Sequence, residues 1–267
     1  MSSDLLERLR VVLVEPSHPG NIGATARAMK TMGLTRLVLV EPQGFPCAEA
    51  TARASGADDL LHAARVVEDL PAAVGDCALV IGTSARQRTL TWPEVGPRAA
   101  ARLLLEAAPR APVAVVFGRE RWGLTNGELE RCQYVLRIPT APAFSSLNLA
   151  AAVQLVAYEV WLAAGEMAGA GAGAGGTMPA AEDLRGGDAA AAVTAADLEG
   201  LLRHLEATAV EVGFLDPAAP KRFVRRMWRL FNRARPDRTE VNILRGLLKA
   251  AQQAARGGKG GYEDLHT

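Results

Sequence analysis

The chain has 267 residues, of which 49% are hydrophobic and 22% are charged, and its formal net charge is +1. This composition is ordinary for a globular protein and excludes a wholly disordered, collagen-like or coiled-coil chain. A net charge near zero provides no global attraction to nucleic acid or membranes, so any such attraction must come from local clusters of charge.

Cysteines and histidines are too scattered to indicate a metal site or a disulfide framework. The three cysteines, Cys47, Cys77 and Cys132, are far apart and odd in number, and the four histidines are equally dispersed. The N-terminal MSSDLLERLR lacks the basic-then-apolar order of a signal peptide. Residues 149–164, the most apolar stretch, are too short and too polar for a membrane span. We therefore predict a cytoplasmic protein with reduced thiols and no membrane partner.

Short runs of Val, Ile and Leu alternate with helical patterns in the first 165 residues. Strands are predicted over residues 10–15, 36–40, 77–81, 112–117 and 134–138, and helices over residues 21–32, 97–108 and 125–132. Nearly continuous apolar strands between helices are typical of a parallel sheet. The sequence thus predicts an α/β domain over residues 1–165.

The remaining chain has two different compositions. Residues 166–192 are rich in Gly and Ala without apolar periodicity, which predicts a flexible linker. Residues 193–267 show helical patterns over 194–212, 221–235 and 240–256. Thr194 and Asp197 are spaced like a capping box, Gly213 is a stop signal, and Pro236 separates the last two helices. We expect a small all-helical extension.

Basic residues are concentrated in this extension, because residues 221–238 contain eight basic side chains and one acid. Five of them follow the spacing of one helix face: Arg222, Arg225, Arg226, Arg229 and Arg233. The apolar residues Phe223, Met227, Leu230 and Phe231 are predicted on the opposite side. On this pattern alone, a solvated surface, an RNA phosphate-binding surface and a membrane-surface helix all remain open.

Four loops that leave predicted strands carry unusual residues. They are residues 16–27 (PSHPGNIGATAR), 82–88 (GTSARQR), 118–127 (GRERWGLTNG) and 139–148 (PTAPAFSSLN). In parallel sheets these loops share the carboxyl edge, where ligands bind. Neither a GxGxxG nor a P-loop motif is present. Each loop also has an ordinary explanation: Gly20 and Gly23 as a turn entering a helix, Ser145 and Ser146 as an N-cap, and Arg119 with Glu120 as a surface ion pair.

The sequence contains SHPGNIGATARAMKTMGLTRLVLV, IGTSAR, VFGRERWGLTNGEL and LRIPTAPAFSSLNLAAAVQLVAYE in this order. Together these segments, which span most of residues 10–163, resemble the SpoU/TrmH group of SPOUT RNA methyltransferases. Residues 213–248 are similar to the extension of those members that 2′-O-methylate nucleotide 32 of the tRNA anticodon loop. The resemblance implies a parallel-sheet SPOUT domain with a deep trefoil knot at the carboxyl edge, followed by the helical extension.

The resemblance also implies S-adenosylmethionine as cofactor, with S-adenosylhomocysteine as product, and no metal. Matching positions assign the cofactor site to Thr83, Ser84, Ala85, Gly118, Ile138, Ser145, Ser146 and Leu147. They place Arg27, Asn21, Glu120, Ser146 and Asn148 around the reacting ribose. A guanidinium is almost always protonated and is a poor base. We therefore expect Arg27 to bind the target phosphate or ribose and to stabilise the developing alkoxide.

The implied function is 2′-O-ribose methylation of tRNA, at cytidine or uridine 32, by a homodimer that shares its RNA site across subunits. In this interpretation the five arginines of the extension bind RNA phosphates. Two alternatives remain, a ribosomal RNA methyltransferase of the same group and a non-catalytic RNA-binding protein that retains the knot. Arg27 and the intact SSLN segment argue against the second alternative.

Overall fold

A parallel sheet of seven strands forms the centre of the first of the two units of the chain, Met1–Ala190. The structure is a computed structural model, and it describes residues 2–85, 92–141, 143–170, 192–218 and 223–258. The strands are β1 Leu9–Val14, β2 Arg36–Val40, β3 Arg65–Val67, β4 Leu79–Thr83, β5 Glu94–Val95, β6 Val113–Phe117 and β7 Tyr134–Leu136. Strands β1, β4 and β6 are almost wholly buried, which explains their continuous apolar sequences.

Helices connect these strands and complete the core. They are α1 Ser2–Leu6, α2 Pro19–Thr31, α3 Ala48–Ala54, α4 Asp58–His62, α5 Leu70–Val74, α6 Pro97–Ala107, α7 Asn126–Glu130 and α8 Leu149–Ala170. Helix α2 packs against α3 and α8, and α6 also packs against α8. The buried side chains of Ile22, Met29, Leu104, Leu105 and Val160 join the helices to the sheet.

The order of the strands determines which loops meet. Across the sheet the order is β3-β2-β1-β6-β4-β7-β5, and each neighbouring pair is parallel. Because β4 lies between β6 and β7, the loops that follow these three strands are adjacent at the carboxyl edge. Strand β1 borders β6 on the other side, so the loop after β1 lies beside the loop after β6. This edge is where an open α/β sheet binds ligands.

The α/β fold with a parallel sheet is confirmed, and the five predicted strands and three predicted helices of this unit have bounds within two residues of those observed. The edge strands β3 and β5 and the helices α3, α4 and α5 were not predicted. Both edge strands are short and none of their residues is buried, so they lack the continuous apolar run of the buried strands. The trefoil knot concerns how the chain threads, which strand order and register do not specify, and it stays a prediction.

Gly23 is a packing residue within α2. A Cβ atom on Gly23 would lie 2.0 Å from the carbonyl oxygen of Ala50 on α3, a distance that no side chain tolerates. Since α2 begins at Pro19, after His18 at the N-cap, the interpretation of Gly20 and Gly23 as a turn is wrong. Close packing of α2 on α3 therefore requires glycine at position 23.

Helix α8 is longer than the sequence predicted. It runs to Ala170, so the first five residues assigned to the linker are helical, while residues 171–191 lie outside the described part of the chain. At this length α8 meets the length and composition criteria for a membrane span, contrary to the expectation that it was too short. Val153, Val156 and Val160 are nevertheless buried against the sheet and its helices, so α8 is a core helix of this unit.

The second unit, Ala191–Thr267, is helical as predicted, with α9 Ala195–Glu211, α10 Phe223–Ala234 and α11 Arg238–Gly258. Thr194 and Asp197 form the predicted capping box of α9. Asp197 also accepts two hydrogen bonds of 2.8 Å from the guanidinium of Arg238, which ties α11 to α9. Arg238, one of the eight clustered basic residues, thus has its charge paired within the unit.

We expect Thr25→Val to stabilise the protein. The Thr25 hydroxyl is fully buried on α2 and has no hydrogen-bond partner among the described residues. Removing an unsatisfied buried hydroxyl should raise the free energy of unfolding by about 1 kcal/mol, seen as a Tm a few degrees higher. The matched control is Thr208→Val, because the buried Thr208 hydroxyl donates to the His204 carbonyl at 2.8 Å. A lower Tm for Thr25→Val would contradict this prediction.

Candidate functional site

A cavity of about 320 Å³ opens at the carboxyl ends of β6, β4 and β7. The eight residues that the resemblance assigned to the cofactor all line it: Thr83, Ser84, Ala85, Gly118, Ile138, Ser145, Ser146 and Leu147. The remaining walls include Glu120, which was expected near the ribose, and residues that were not among the predicted site residues, such as Arg121, Trp122, Leu136, Leu149 and Ala152. The structure thus gathers these loops around one space, while the role of each residue stays a prediction.

Hydrogen bonds to neighbouring strands fix the loop after β4. The Thr83 hydroxyl donates to the carbonyl oxygen of Val116 on β6 at 3.1 Å. The backbone N–H of Ser84 donates to the carbonyl oxygen of Leu136 on β7 at 3.1 Å. The backbone that enters the cavity is therefore held from both sides before any ligand binds. Residues 86–88 of this predicted loop lie outside the described part of the chain.

Gly118 permits a close approach within the protein itself. A Cβ atom on Gly118 would lie 2.2 Å from the backbone of Gly123 and of Leu124. The loop closes there because the N–H of Gly123 donates to the carbonyl oxygen of Arg119 at 2.8 Å. A side chain at position 118 would therefore displace residues 119–124. Glycine at position 118 is therefore required by packing within the protein, whatever ligand the cavity binds.

A chain of hydrogen bonds joins three of the residues expected around the ribose. The Asn148 side-chain N–H₂ donates to Asn21 Oδ1 at 2.9 Å, and Asn21 Nδ2 donates to Glu120 Oε1 at 3.0 Å. Glu120 Oε2 accepts from the Ser17 backbone at 3.0 Å and from its hydroxyl at 2.8 Å. The His18 N–H is a further donor to Glu120 at 3.3 Å. Ser17 and His18 were not singled out by the sequence.

These donors keep Glu120 ionised. Burial alone would raise the pKa of the Glu120 carboxyl, but the hydrogen bonds from Asn21 and Ser17 outweigh burial and lower that pKa below its ordinary value. A carboxylate with a lowered pKa and several donors is a poor proton acceptor at neutral pH. The arrangement suits Glu120 to anchor Asn21 and the loop after β1, and not to act as a general base.

Asn148 also caps α8. Its Oδ1 accepts hydrogen bonds from the N–H groups of Ala150 at 3.0 Å and Ala151 at 3.4 Å. Helix α8 starts at Leu149, so the alternative in which Ser145 and Ser146 cap it is wrong. Because the oxygen of Asn148 is engaged by the helix, its N–H₂ faces Asn21. The two serines are left as exposed residues of the cavity wall.

Arg119 does not pair with Glu120. Its guanidinium contacts Glu15, which follows β1, and donates to Glu128 on α7 at 3.0 Å and 3.1 Å. The hydrogen bonds from Arg119 lower the pKa of Glu15. Glu128 in turn completes the capping box of Thr125. The expected surface ion pair is thus replaced by a half-buried bridge that fixes the base of the 119–123 loop.

Arg27 takes no part in this network of hydrogen bonds. It is exposed on α2 and does not line the cavity. In the described part of the chain, its side chain forms no hydrogen bond or ion pair. Of the five residues expected around the ribose, the structure connects Asn21, Glu120 and Asn148 and places Ser146 in the cavity wall. Arg27 is not brought to this cavity within one chain.

The basic residues of α10 are not equivalent. Arg226 and Arg233 are exposed, whereas Arg225 and Arg229 are half-buried, and Arg222 lies outside the described residues. Leu230, predicted on the apolar side, is 41% exposed. Its position four residues after Arg226 and three before Arg233 puts it on their side of the helix. The exposed basic surface of α10 therefore contains fewer arginines than the sequence pattern predicted.

The buried cysteines Cys77 and Cys132 have unreactive thiols. Burial raises the pKa of the Cys77 and Cys132 thiols to about 12, so both are protonated at neutral pH. No group of His, Cys, Asp or Glu among the described residues is arranged to hold a metal ion.

Replacing Glu120 with Gln should destabilise the first unit by about 2 kcal/mol at pH 7, because an amide N–H₂ would face N–H and O–H donors. Since the pKa of Glu120 is lowered in the folded state, its stabilising effect is full above about pH 4.5 and is lost as the pH falls through the folded value. Urea unfolding at pH 7 and pH 4 should show a smaller difference from wild type at pH 4. Glu106→Gln, at an exposed position on α6, is the control. An equal effect of both changes at pH 7 would refute the anchoring role.

Comparison with known proteins defines the class to which this site belongs. The sequence profile of the SpoU rRNA Methylase family matches residues 8–158, which include every residue of the cavity. The chain belongs to this family. The profile of the tRNA methyltransferase TrmJ, C-terminal domain, matches residues 196–260.

Individual relatives extend this similarity over both units. The chain is 50% identical over 257 residues to the tRNA (cytidine/uridine/adenosine-2′-O-)-methyltransferase TrmJ of Pseudomonas aeruginosa, covering 95% of this chain and 97% of that protein. It is 47% identical to the tRNA (cytidine/uridine-2′-O-)-methyltransferase TrmJ of Klebsiella pneumoniae, covering 95% of this chain and all of that protein. The crystal structure of TrmJ from Z. mobilis matches with a TM-score of 0.74 at 34% identity, over 90% of this chain and 97% of that chain.

Proposed function

We propose that this protein transfers the methyl group of S-adenosylmethionine to the 2′-oxygen of a ribose in tRNA. The observation that carries the proposal is that one cavity is lined by all eight residues of the cofactor motifs and by Glu120, which is hydrogen-bonded to Asn21 and through it to Asn148. The similarity to tRNA 2′-O-methyltransferases over both units supports tRNA as the substrate. The similarity of the C-terminal unit to the C-terminal domain of a tRNA methyltransferase also supports tRNA, and we propose nucleotide 32 of the anticodon loop, the target that the sequence resemblance implies.

The cavity suits the cofactor in size and chemistry. Its volume of about 320 Å³ is within the range of small-molecule sites. Leu136, Ile138 and Leu149 offer an apolar wall to an adenine ring, while Ser145 and Ser146 provide hydroxyl groups. The Glu120 carboxylate also lines the cavity and would supply negative charge to a cationic ligand bound there. When bound, S-adenosylmethionine supplies an electrophilic methyl group, and departure of a neutral thioether requires no metal.

The residues beside the cavity would position the ribose. Asn148 is held by the helix N-terminus and by Asn21, and Asn21 is held by Glu120, so each amide has one fixed orientation. Fixed donors and acceptors of this kind would hold a bound ribose in one orientation, and such positioning supplies much of the rate of a transfer reaction. Since Glu120 is engaged by donors, the proton of the 2′-hydroxyl would pass to solvent water as the bond from oxygen to the methyl carbon forms.

We infer a homodimer in which Arg27 acts on the ribose or phosphate bound by the partner subunit. Arg27 is exposed and does not line the cavity of its own chain. Helix α8 presents an exposed apolar face of Leu155, Tyr158 and Trp161, which are 42%, 46% and 51% exposed. Three such residues at helical spacing are the kind of surface that a subunit interface covers. A cytoplasmic location fits a tRNA substrate.

Transfer of a labelled methyl group tests the proposed function. Purified protein with labelled S-adenosylmethionine should methylate bulk tRNA from a strain that lacks this protein, and should not methylate ribosomal RNA. Mass spectrometry should then locate the added methyl group on the ribose of nucleotide 32. Transfer to ribosomal RNA alone would favour the alternative substrate in this family. Absence of transfer to either RNA, with retained RNA binding, would favour the non-catalytic alternative.

Calorimetry tests the cofactor separately. The full-length protein should bind S-adenosylhomocysteine without RNA, and the affinity should be the same with and without a chelator. Binding that disappears on chelation would show that a metal is needed after all.

A further inference from the structure

Trp122 is exposed at the mouth of the cavity. It lines the cavity and is 57% exposed, although a tryptophan side chain gains most from burial. The guanidinium carbon of Arg121 lies 4.9 Å from the centre of the Trp122 ring, within the range of a cation–π contact. A second exposed aromatic residue, Phe144, is 79% exposed and directly precedes the cavity residue Ser145. Neither aromatic residue was included among the predicted site residues.

The loop that carries Trp122 is anchored at its base. Arg119 is bonded to Glu15 and Glu128, and Glu120 is bonded to Ser17 and Asn21. Arg119 and Gly123 close the turn through a β-bridge, and Gly123 has a φ of +68°, a conformation that favours glycine. Arg121 and Trp122 therefore form the tip of a loop whose two preceding residues are fixed by charged hydrogen bonds. The loop presents the aromatic ring in a defined place without burying it.

The chemistry of this tip matches a nucleobase. A flat indole ring beside a guanidinium offers the two surfaces on which proteins stack unpaired bases. The adjacent wall includes the polar side chains of Ser145, Ser146 and Glu120. In the proposed reaction the target ribose must enter this same cavity, so its own base or a neighbouring base must pass close to residues 121 and 122.

We propose that Trp122, together with the guanidinium of Arg121, is a stacking surface for an RNA base at or next to the methylated nucleotide. This inference rests on the proposed function, because it takes the cavity as the place where the target ribose reacts. Stacking is tolerant of base identity, since every base has a π-face. Trp122 thus positions the nucleotide without selecting its base.

Two substitutions at position 122 distinguish the effect of the aromatic ring from the effect of side-chain volume. Trp122→Leu should weaken tRNA binding about tenfold and raise KM for tRNA to a similar degree, whereas Trp122→Tyr should retain most of the affinity because it keeps an aromatic face. Activity is measured at saturating S-adenosylmethionine, so that a change in cofactor affinity does not affect the result. Equal losses for Leu and Tyr would overturn the stacking role.

A double-mutant cycle identifies the base. Full-length tRNA transcripts carrying one abasic nucleotide, at position 31, 32 or 33, are bound to wild-type protein and to Trp122→Leu. If Trp122 stacks on a base, removing that base should lower the affinity of the wild-type protein for tRNA about tenfold. The same abasic transcript should bind Trp122→Leu almost as tightly as intact tRNA does, because that variant has already lost the stacking contact. Strictly additive losses at all three positions would overturn the proposal. Dissociation of the Trp122→Leu protein into monomers would do so as well, by showing that a second subunit covers the ring.

The binding cycle and the methylation assay can fail independently. A wild-type protein that binds tRNA but methylates no RNA would refute the proposed function, while the cycle would still report on stacking. A wild-type protein that methylates tRNA, with a Trp122→Leu variant of unchanged affinity and KM, would refute the stacking proposal alone.

Discussion

Replacing Arg27 with Ala is expected to reduce methyl transfer to tRNA by two to three orders of magnitude, about the loss seen when one donor to a developing oxyanion is removed. Cofactor affinity should remain unchanged, because Arg27 is exposed on α2 and does not line the cavity. Arg27→Lys should restore little, since an ammonium group cannot reproduce the planar fork of a guanidinium. Single-turnover methyl transfer and calorimetry on the same preparations provide the two measurements.

Subunit mixing shows in which chain Arg27 acts. Arg27→Ala keeps an intact cavity, and Glu120→Gln keeps an intact Arg27, so neither protein alone should be active. If Arg27 serves the partner's cavity, a randomised 1:1 mixture should recover about a quarter of the wild-type activity, because half of the dimers are mixed and each mixed dimer has one complete site. No recovery in mixed dimers would place Arg27 in its own chain's reaction. Near-normal turnover by Arg27→Ala would remove it from the mechanism.

Loss of the C-terminal unit should weaken tRNA binding far more than it affects the cavity. The first unit contains its own core and every cavity residue, so a chain ending at residue 170 should still bind S-adenosylhomocysteine. Its affinity for tRNA should fall by at least tenfold at physiological salt, because electrostatic interactions with phosphates supply much of the binding free energy. Filter binding of tRNA and calorimetry of the cofactor measure the two effects on one protein.

Point substitutions test the same idea without removing the unit. Arg226 and Arg233 are the exposed arginines of α10, and replacing both with Ala should flatten the slope of log K against log salt by about 0.7–0.9 for each arginine that neutralises a phosphate. Arg203→Ala, which removes an exposed charge from α9, is the matched control. If the double variant binds with the wild-type affinity and slope, the arginines of α10 form only a solvated surface. The unit would then contribute to something other than phosphate binding.

The sequence predicted those structural features that are determined by residues close together in the chain. The buried strands and the helices with capping signals, such as α7 and α9, appear where their patterns indicate them. The loops of the cavity were located because they follow strands of one parallel sheet. The capping box of Thr194 and Asp197 was predictable because its two residues are only three positions apart in the sequence.

The contacts that the sequence did not predict join residues that are far apart in the chain. Ser17 meets Glu120 across 103 positions of the chain, and Arg119 meets Glu15 across 104, so neither choice of partner shows in a local pattern. Arg238 belongs to the basic cluster in sequence, but its partner, Asp197, lies 41 residues earlier and pairs its charge. Similarly, the spacing of α10 placed Leu230 on an apolar face, but tertiary packing leaves it exposed.

The strand order has a consequence for how the polypeptide emerges from the ribosome. Strands β1, β2 and β3 pair with one another in sequence, so this half of the sheet can assemble as soon as about 70 residues are available. Strand β4 pairs only with β6 and β7, both of which are synthesised later. The apolar segment Leu79–Thr83 must therefore wait for at least thirty further residues before it has a neighbour. During that interval this apolar segment has no strand partner and is exposed to aggregation.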